Sequence, residues 1–161
     1  MMLISREILQ RALRWSKKRK ILTSLFAVYI FAVLWLTLID RQWGERQAEL
    51  MPFWEVRNLL ENISIKYLRD FWLVQIFGNI AMFIPLGVLL PVLCGTTKFK
   101  SVFLMSLAFS AGIEITQYIT GRGLCEFDDV FNNTLGACVG FTFWRLKMRY
   151  NKKYKNEQSP W

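Results

Sequence analysis

The chain has 161 residues, 53% hydrophobic, 16% aromatic and 20% charged, which fits one domain whose charges are segregated from apolar blocks. Several runs are apolar on every face, so a water-soluble core is excluded and an all-α integral membrane bundle is predicted. The net charge of +9 sits mostly at the two ends beside hydrophobic runs, a placement that serves orientation and anionic-lipid contact rather than nucleic-acid binding. There is no histidine, which removes Ser-His and Cys-His nucleophilic pairs, His-ligated metals and haem. The three cysteines, Cys94, Cys125 and Cys138, share no metal-type spacing. Neither a metal, a cofactor nor a structural disulfide is expected.

Residues 1–20 carry apolar side chains at Ile4, Ile8, Leu9, Ala12 and Trp15 with basic residues between. That period predicts an amphipathic helix on the membrane surface; a basic tail that only sets topology is the alternative. Residues 21–39 hold no charge and are long enough, at about 1.5 Å per residue, to form the first span. Residues 40–70 are polar and of mixed charge. Within them Pro52 is able to open a helix, and Val56, Leu59, Leu60, Ile63 and Tyr67 recur at helical spacing. A short amphipathic helix resting on the outer leaflet or capping the bundle is predicted there, with an ordinary exposed loop as the alternative. Residues 71–93 are the second span, with a kink expected at Pro85 and Pro91. Residues 101–120 are the third span, 129–146 the fourth, and 147–161 a basic tail. The domain is thus 21–146. The basic N-terminus, 94–100 linker and C-terminus place both termini in the cytoplasm of a multi-pass protein.

Polar residues then converge. At ~1.5 Å per residue, Asn79 lies roughly 12 Å and Glu114 roughly 9 Å below the outer ends of their spans. Ser110, Glu114, Gln117 and Gly121 share one face of the third span. Asp129, Asn133, Gly136 and Gly140 share one face of the fourth, where Gly136-xxx-Gly140 admits close helix approach. Gln75, Asn79 and Phe83 line up on the second. Intramembrane acids and amides at such places suggest a functional site. The competing readings are a structural polar clamp, a groove open to the outer surface, a membrane enzyme with Glu114 or Asp129 as acid or base, and ion or proton coupling. Gly121-Arg122-Gly123 permits a tight turn. Its arginine either grips a phosphate or neutralises Glu126, Asp128 or Asp129, and the internal pairing is favoured. One of Asp128 and Asp129 is explained by the first turn of the fourth helix, whose free N–H groups favour a carboxylate.

These residues resemble a known family. Asn79-x3-Phe83-x-Pro85-x-Gly87 with Leu89, Leu90 and Pro91, then Glu114-x2-Gln117, then Arg122…Glu126-x-Asp128-Asp129-Val130-x2-Asn133-Thr134-x-Gly136-x3-Gly140 look like the three motifs of the VanZ-like membrane proteins, in the family's order. Pro52-Phe53 is similar to a weaker preceding motif, and Glu126 stands where many members carry Asp. The resemblance implies a bacterial cytoplasmic-membrane protein connected with glycopeptide (teicoplanin) susceptibility, and it weighs against catalysis. The binding candidates are Asn79, Glu114, Gln117, Arg122, Glu126, Asp128, Asp129 and Asn133, with Pro85, Gly87, Gly136 and Gly140 for helix packing. Membrane lipids are the expected partners, together with a cell-wall precursor or a lipoglycopeptide.

Overall fold

The computed structural model describes residues 2–158, with side chains placed for 17–154. Helix α1 (Met2–Leu34) passes without interruption into a π-helical turn (Trp35–Ile39). No Gly or Pro occurs before Asp40, so nothing in the sequence breaks the backbone ladder at residue 20. The basic N-terminal segment is therefore continuous with the first span and not a separate element. Its amphipathic face over residues 1–16 lies outside the described side chains.

There follow β1 (Gln47–Glu49), α2 (Trp54–Glu61), α3 (Lys66–Cys94), α4 (Phe99–Thr120), β2 (Leu124–Glu126) and α5 (Phe127–Gln158). Three stretches among the described residues are long and apolar enough to cross a membrane: Lys17–Ile39, Lys66–Cys94 and Phe99–Thr120. Helix α5, with 32 residues, has the length. Asn132, Asn133, Arg145 and Lys147 dilute its apolar character, so composition does not mark α5 as a span as it does the other three stretches.

Helix α5 is the packing centre and lies chiefly along α3. The reason is steric. A Cβ at Gly87 would fall on the Ala137 carbonyl, one at Gly136 on the Ile80 carbonyl, and one at Gly140 on the Ile84 carbonyl. Backbone meets backbone there, as the small-residue spacing predicts. Around this seam Phe83, Leu86 and Leu90 of α3, Val102 and Ile113 of α4, Ala137 and Phe141 of α5, and Val33 of α1 form the buried apolar core. Both Pro85 and Pro91 remain inside α3, which continues as one element through them.

The connections at one end of the bundle are tied together. Strand β1 pairs in parallel with β2, Gln47 opposite Leu124 and Glu49 opposite Glu126, and the Gly44 N–H donates to the Gly121 carbonyl at 2.8 Å. Gly121 ends α4 at φ +65°, and a Cβ on it would come within 2.5 Å of the Gly44 oxygen. Only glycine satisfies both conditions. Within the 40–70 segment α2 forms, and it is not packed on the bundle by its apolar stripe. Val56 and Leu60 of α2 are exposed, as are Ile63 beyond its end and Tyr67 at the start of α3, whereas Glu55 is completely buried.

Candidate functional site

The beginning of α5 organises the polar cluster. Asp128 turns toward α2. Its Oδ1 accepts from the Phe53 N–H at 2.7 Å and its Oδ2 from the Glu55 N–H at 2.8 Å. A helix start leaves N–H groups without internal partners, so Asp128 caps α2 across 75 residues of sequence; the expectation for one of Asp128 and Asp129 was a role at the first turn of their own helix. Phe53 precedes α2 at φ +61°, a left-handed conformation uncommon outside glycine, and the Asp128 carboxylate holds its N–H. One turn on, Asn132 Nδ2 donates to Glu55 Oε2 at 2.7 Å. The start of α2 is thus fastened to one face of α5.

The adjacent face of α5 reaches α3 and α4. Asn79 Nδ2 donates to Asp129 Oδ1, so the convergence of the second and fourth polar faces is realised. Asn133 Nδ2 donates to Ser110 Oγ at 2.9 Å. Glu114 Oε2 accepts from the backbone N–H of Glu126 at 2.9 Å, which fixes β2 over the end of α4. Gln117 Nε2 donates to the Thr37 carbonyl at 2.9 Å. That carbonyl lies in the π-helical turn, so Gln117 joins α4 to α1.

Glu114, Gln117, Glu126, Asp128, Asp129 and Asn133 are all buried, the most exposed being Glu126 at 7%. Asn79 and Arg122 are half-buried. The cluster is an enclosed layer; a groove open to the outer surface was one of the four competing readings of it. A cavity of about 680 Å³ lies instead at the opposite end of α5, lined by Trp144, Arg145, Arg149 and Lys152. Arg122 also departs from expectation. It forms no ion pair with Glu126, Asp128 or Asp129; its Nη1 donates to the Leu38 carbonyl at 3.3 Å and its guanidinium lies 3.9 Å from the centroid of the Trp43 ring. The turn geometry dictates this. The antiparallel bridge between Trp43 and Arg122 sets the two side chains together, and a planar cation stacks well on an indole.

The electrostatics are correspondingly severe. Among the described residues the ion pairs are Arg57–Glu61 and Arg69–Asp70, neither of them in the cluster. Burial pushes the Glu55 carboxyl up to about 8, and the neighbouring charges of Asp129, Glu126 and Asp128 add to the effect. Burial followed by the charge of Asp129 pushes Glu126 up to about 7, against an opposing contribution from Arg41. One oxygen each from Glu55, Glu126 and Asp129 lies within 4.8 Å of the other two. Sequence spacing did not reveal this set, because its members come from α2, β2 and α5. Glu55 itself was missed as a site residue; the one signal for it was an isolated acid directly after Pro52-Phe53-Trp54 at a helix start.

Comparison with known proteins agrees with the motifs. The chain is 29% identical over 139 residues to Protein VanZ of Enterococcus faecium, a match covering 81% of this chain and 78% of that protein. No solved structure shows significant similarity to this chain. The VanZ/LLP1 family model matches residues 26–148, a range that holds every residue of the polar cluster, and the chain belongs to that family.

Proposed function

We propose that the chain crosses the bacterial cytoplasmic membrane four times, with both termini in the cytoplasm, and recognises the headgroup of a cell-envelope amphiphile at its outer face. The amphiphile is a lipid or a lipid-linked wall precursor, and its capture alters susceptibility to lipoglycopeptides such as teicoplanin. One observation carries this reading. Acids and amides from α2, α3, α4, β2 and α5 gather in a single buried layer between apolar helices, although each such group costs several kcal/mol, on the order of 2–7, when it lacks a full set of partners. At the rim, Arg122 on Trp43 offers a cation and an aromatic surface to an anionic headgroup. The fourth crossing is supported by α5's central position between α3 and α4.

A clamp role is supported for part of the layer. Asp128, Gln117 and Asn133 spend their polar atoms on α2, α1 and α4. For the recognition reading the decisive measurement is native mass spectrometry of protein purified in mild detergent. A discrete lipid adduct is expected on the wild type and is expected to be lost in Arg122→Ala. An adduct unchanged by Arg122→Ala, or no adduct at all, would end the proposal. Teicoplanin susceptibility of cells expressing the two forms checks the physiological part.

A further inference from the structure

The geometry points to a binding site for one hard divalent cation, of the Mg²⁺, Ca²⁺ or Mn²⁺ class, held by the carboxylates of Glu55, Glu126 and Asp129. This goes beyond amphiphile recognition and does not depend on it. Three oxygens mutually within 4.8 Å fit one coordination sphere: with metal–oxygen distances of about 2.0–2.6 Å, opposite ligands stand ~4–5 Å apart. The donors are all oxygen, a ligand set that suits hard cations such as Mg²⁺, Ca²⁺ and Mn²⁺.

A second observation supports a ligand. Glu55 has no exposed surface, and its Oε1 has no hydrogen-bond partner. The other oxygen, Oε2, is taken by Asn132. A fully buried carboxylate oxygen with nothing to accept from, in the carboxylate that belongs to the triad, is an acceptor awaiting a cation. The surroundings suit coordination. Asn132 holds Glu55 and Asn79 holds Asp129, each amide fixing one oxygen of its carboxylate and thereby its orientation, as outer hydrogen bonds do around metal ligands. The side chain of Glu126 accepts no hydrogen bond from any described residue. Arg41 is the cation that acts on Glu126 and Asp129 through space, yet it is exposed and forms no ion pair with them. A divalent ion supplies the missing charge at the centre.

The test uses the full chain in detergent, stripped with EDTA and titrated with Mn²⁺ alone, following free Mn²⁺ by electron paramagnetic resonance. Saturable binding of one ion per chain is expected, weakened at least tenfold in Glu126→Gln, Asp129→Asn and Glu55→Gln, and unchanged in Asp70→Asn. Absence of saturable binding in the wild type overturns the site, as does equal binding by the three variants. Should those variants fail to fold, the wild type still decides. With Fe²⁺, ascorbate and peroxide, backbone cleavage is expected near residues 53–56 and 125–130, and cleavage confined elsewhere overturns the assignment. No lipid enters these assays, so their failure leaves amphiphile recognition standing, and loss of the lipid adduct leaves the cation site standing.

Discussion

Asp128→Ala should loosen α2 while leaving the helix bundle intact. The wild-type carboxylate receives two short N–H hydrogen bonds, from Phe53 and Glu55. Hydrogen bonds to a charged acceptor contribute about 1.5–3 kcal/mol each, but these two share one carboxylate and are not additive. A loss of ~2–4 kcal/mol in the local opening free energy follows, or about 30- to 1,000-fold faster amide exchange at ~1.4 kcal/mol per decade. The loss stays local because α2 makes its main remaining contacts with α3 and its apolar stripe is exposed. Hydrogen–deuterium exchange by mass spectrometry, on protein in detergent micelles or nanodiscs, reads the peptide covering 53–62 against peptides from α3 and α5. Accelerated exchange in the first peptide alone is the expected result. If 53–62 exchanged at the wild-type rate, the capping argument would be refuted. If all peptides accelerated together, its local character would be refuted.

Gly136→Ala should lower the thermal unfolding midpoint in detergent, with a cost of about 1–3 kcal/mol or more, because the added methyl meets the Ile80 carbonyl on a backbone unable to yield. Gly112→Ala, which meets nothing within 4 Å, should leave the midpoint unchanged or raise it slightly through helix propensity; equal effects of the two would contradict the α3–α5 seam. Gly121→Ala should destabilise through its φ of +65° and its approach to Gly44, seen as a lower midpoint and as faster exchange over 40–49, where β1 pairs with β2. Membrane-impermeant maleimide applied to intact cells should label Cys125 and not Cys94, both of them free thiols. The reverse pattern would invert the proposed orientation and move the polar layer to the cytoplasmic side.

The apolar runs and their boundaries were legible because a span repeats one simple property over about 20 residues. The α3–α5 seam was legible too, since Gly136 and Gly140 stand four apart and Gly87 accompanies Asn79 on the facing helix. Depth and helix facing together joined Asn79 to the polar cluster, though not to Asp129 in particular. What escaped notice depends on chain crossings that no local pattern encodes. Glu55 lies in a polar segment whose only periodic signal is an apolar stripe, and that stripe faces away from the bundle. The three-residue strands β1 and β2 are too short to show alternation. Arg122 appeared surrounded by acids along the sequence, yet the bridge to Trp43 directs it to an indole and a carbonyl. The fourth span predicted over 129–146 is not marked by composition in the way the other three stretches are, because amides and basic residues dilute its apolar character.

Those same amides explain how one short stretch serves two purposes. Asp128 and Asn132 are four residues apart, as are Asp129 and Asn133, so residues 128–133 form two polar stripes on neighbouring faces of α5, turned by about 100°. The first stripe binds α2: Asp128 takes the N–H groups of Phe53 and Glu55, and Asn132 takes the Glu55 carboxylate. The second meets α3 and α4 through Asn79 and Ser110. The first stripe grips α2 at Phe53 and Glu55 and so helps bring Glu55 to Asp129, so the structural clamp and the acidic triad are not competing accounts of the cluster. The clamp positions the triad. Two acids side by side at a helix start are also favoured there by the unpaired N–H groups of α5's first turn, which lowers the cost of gathering negative charge in a buried layer.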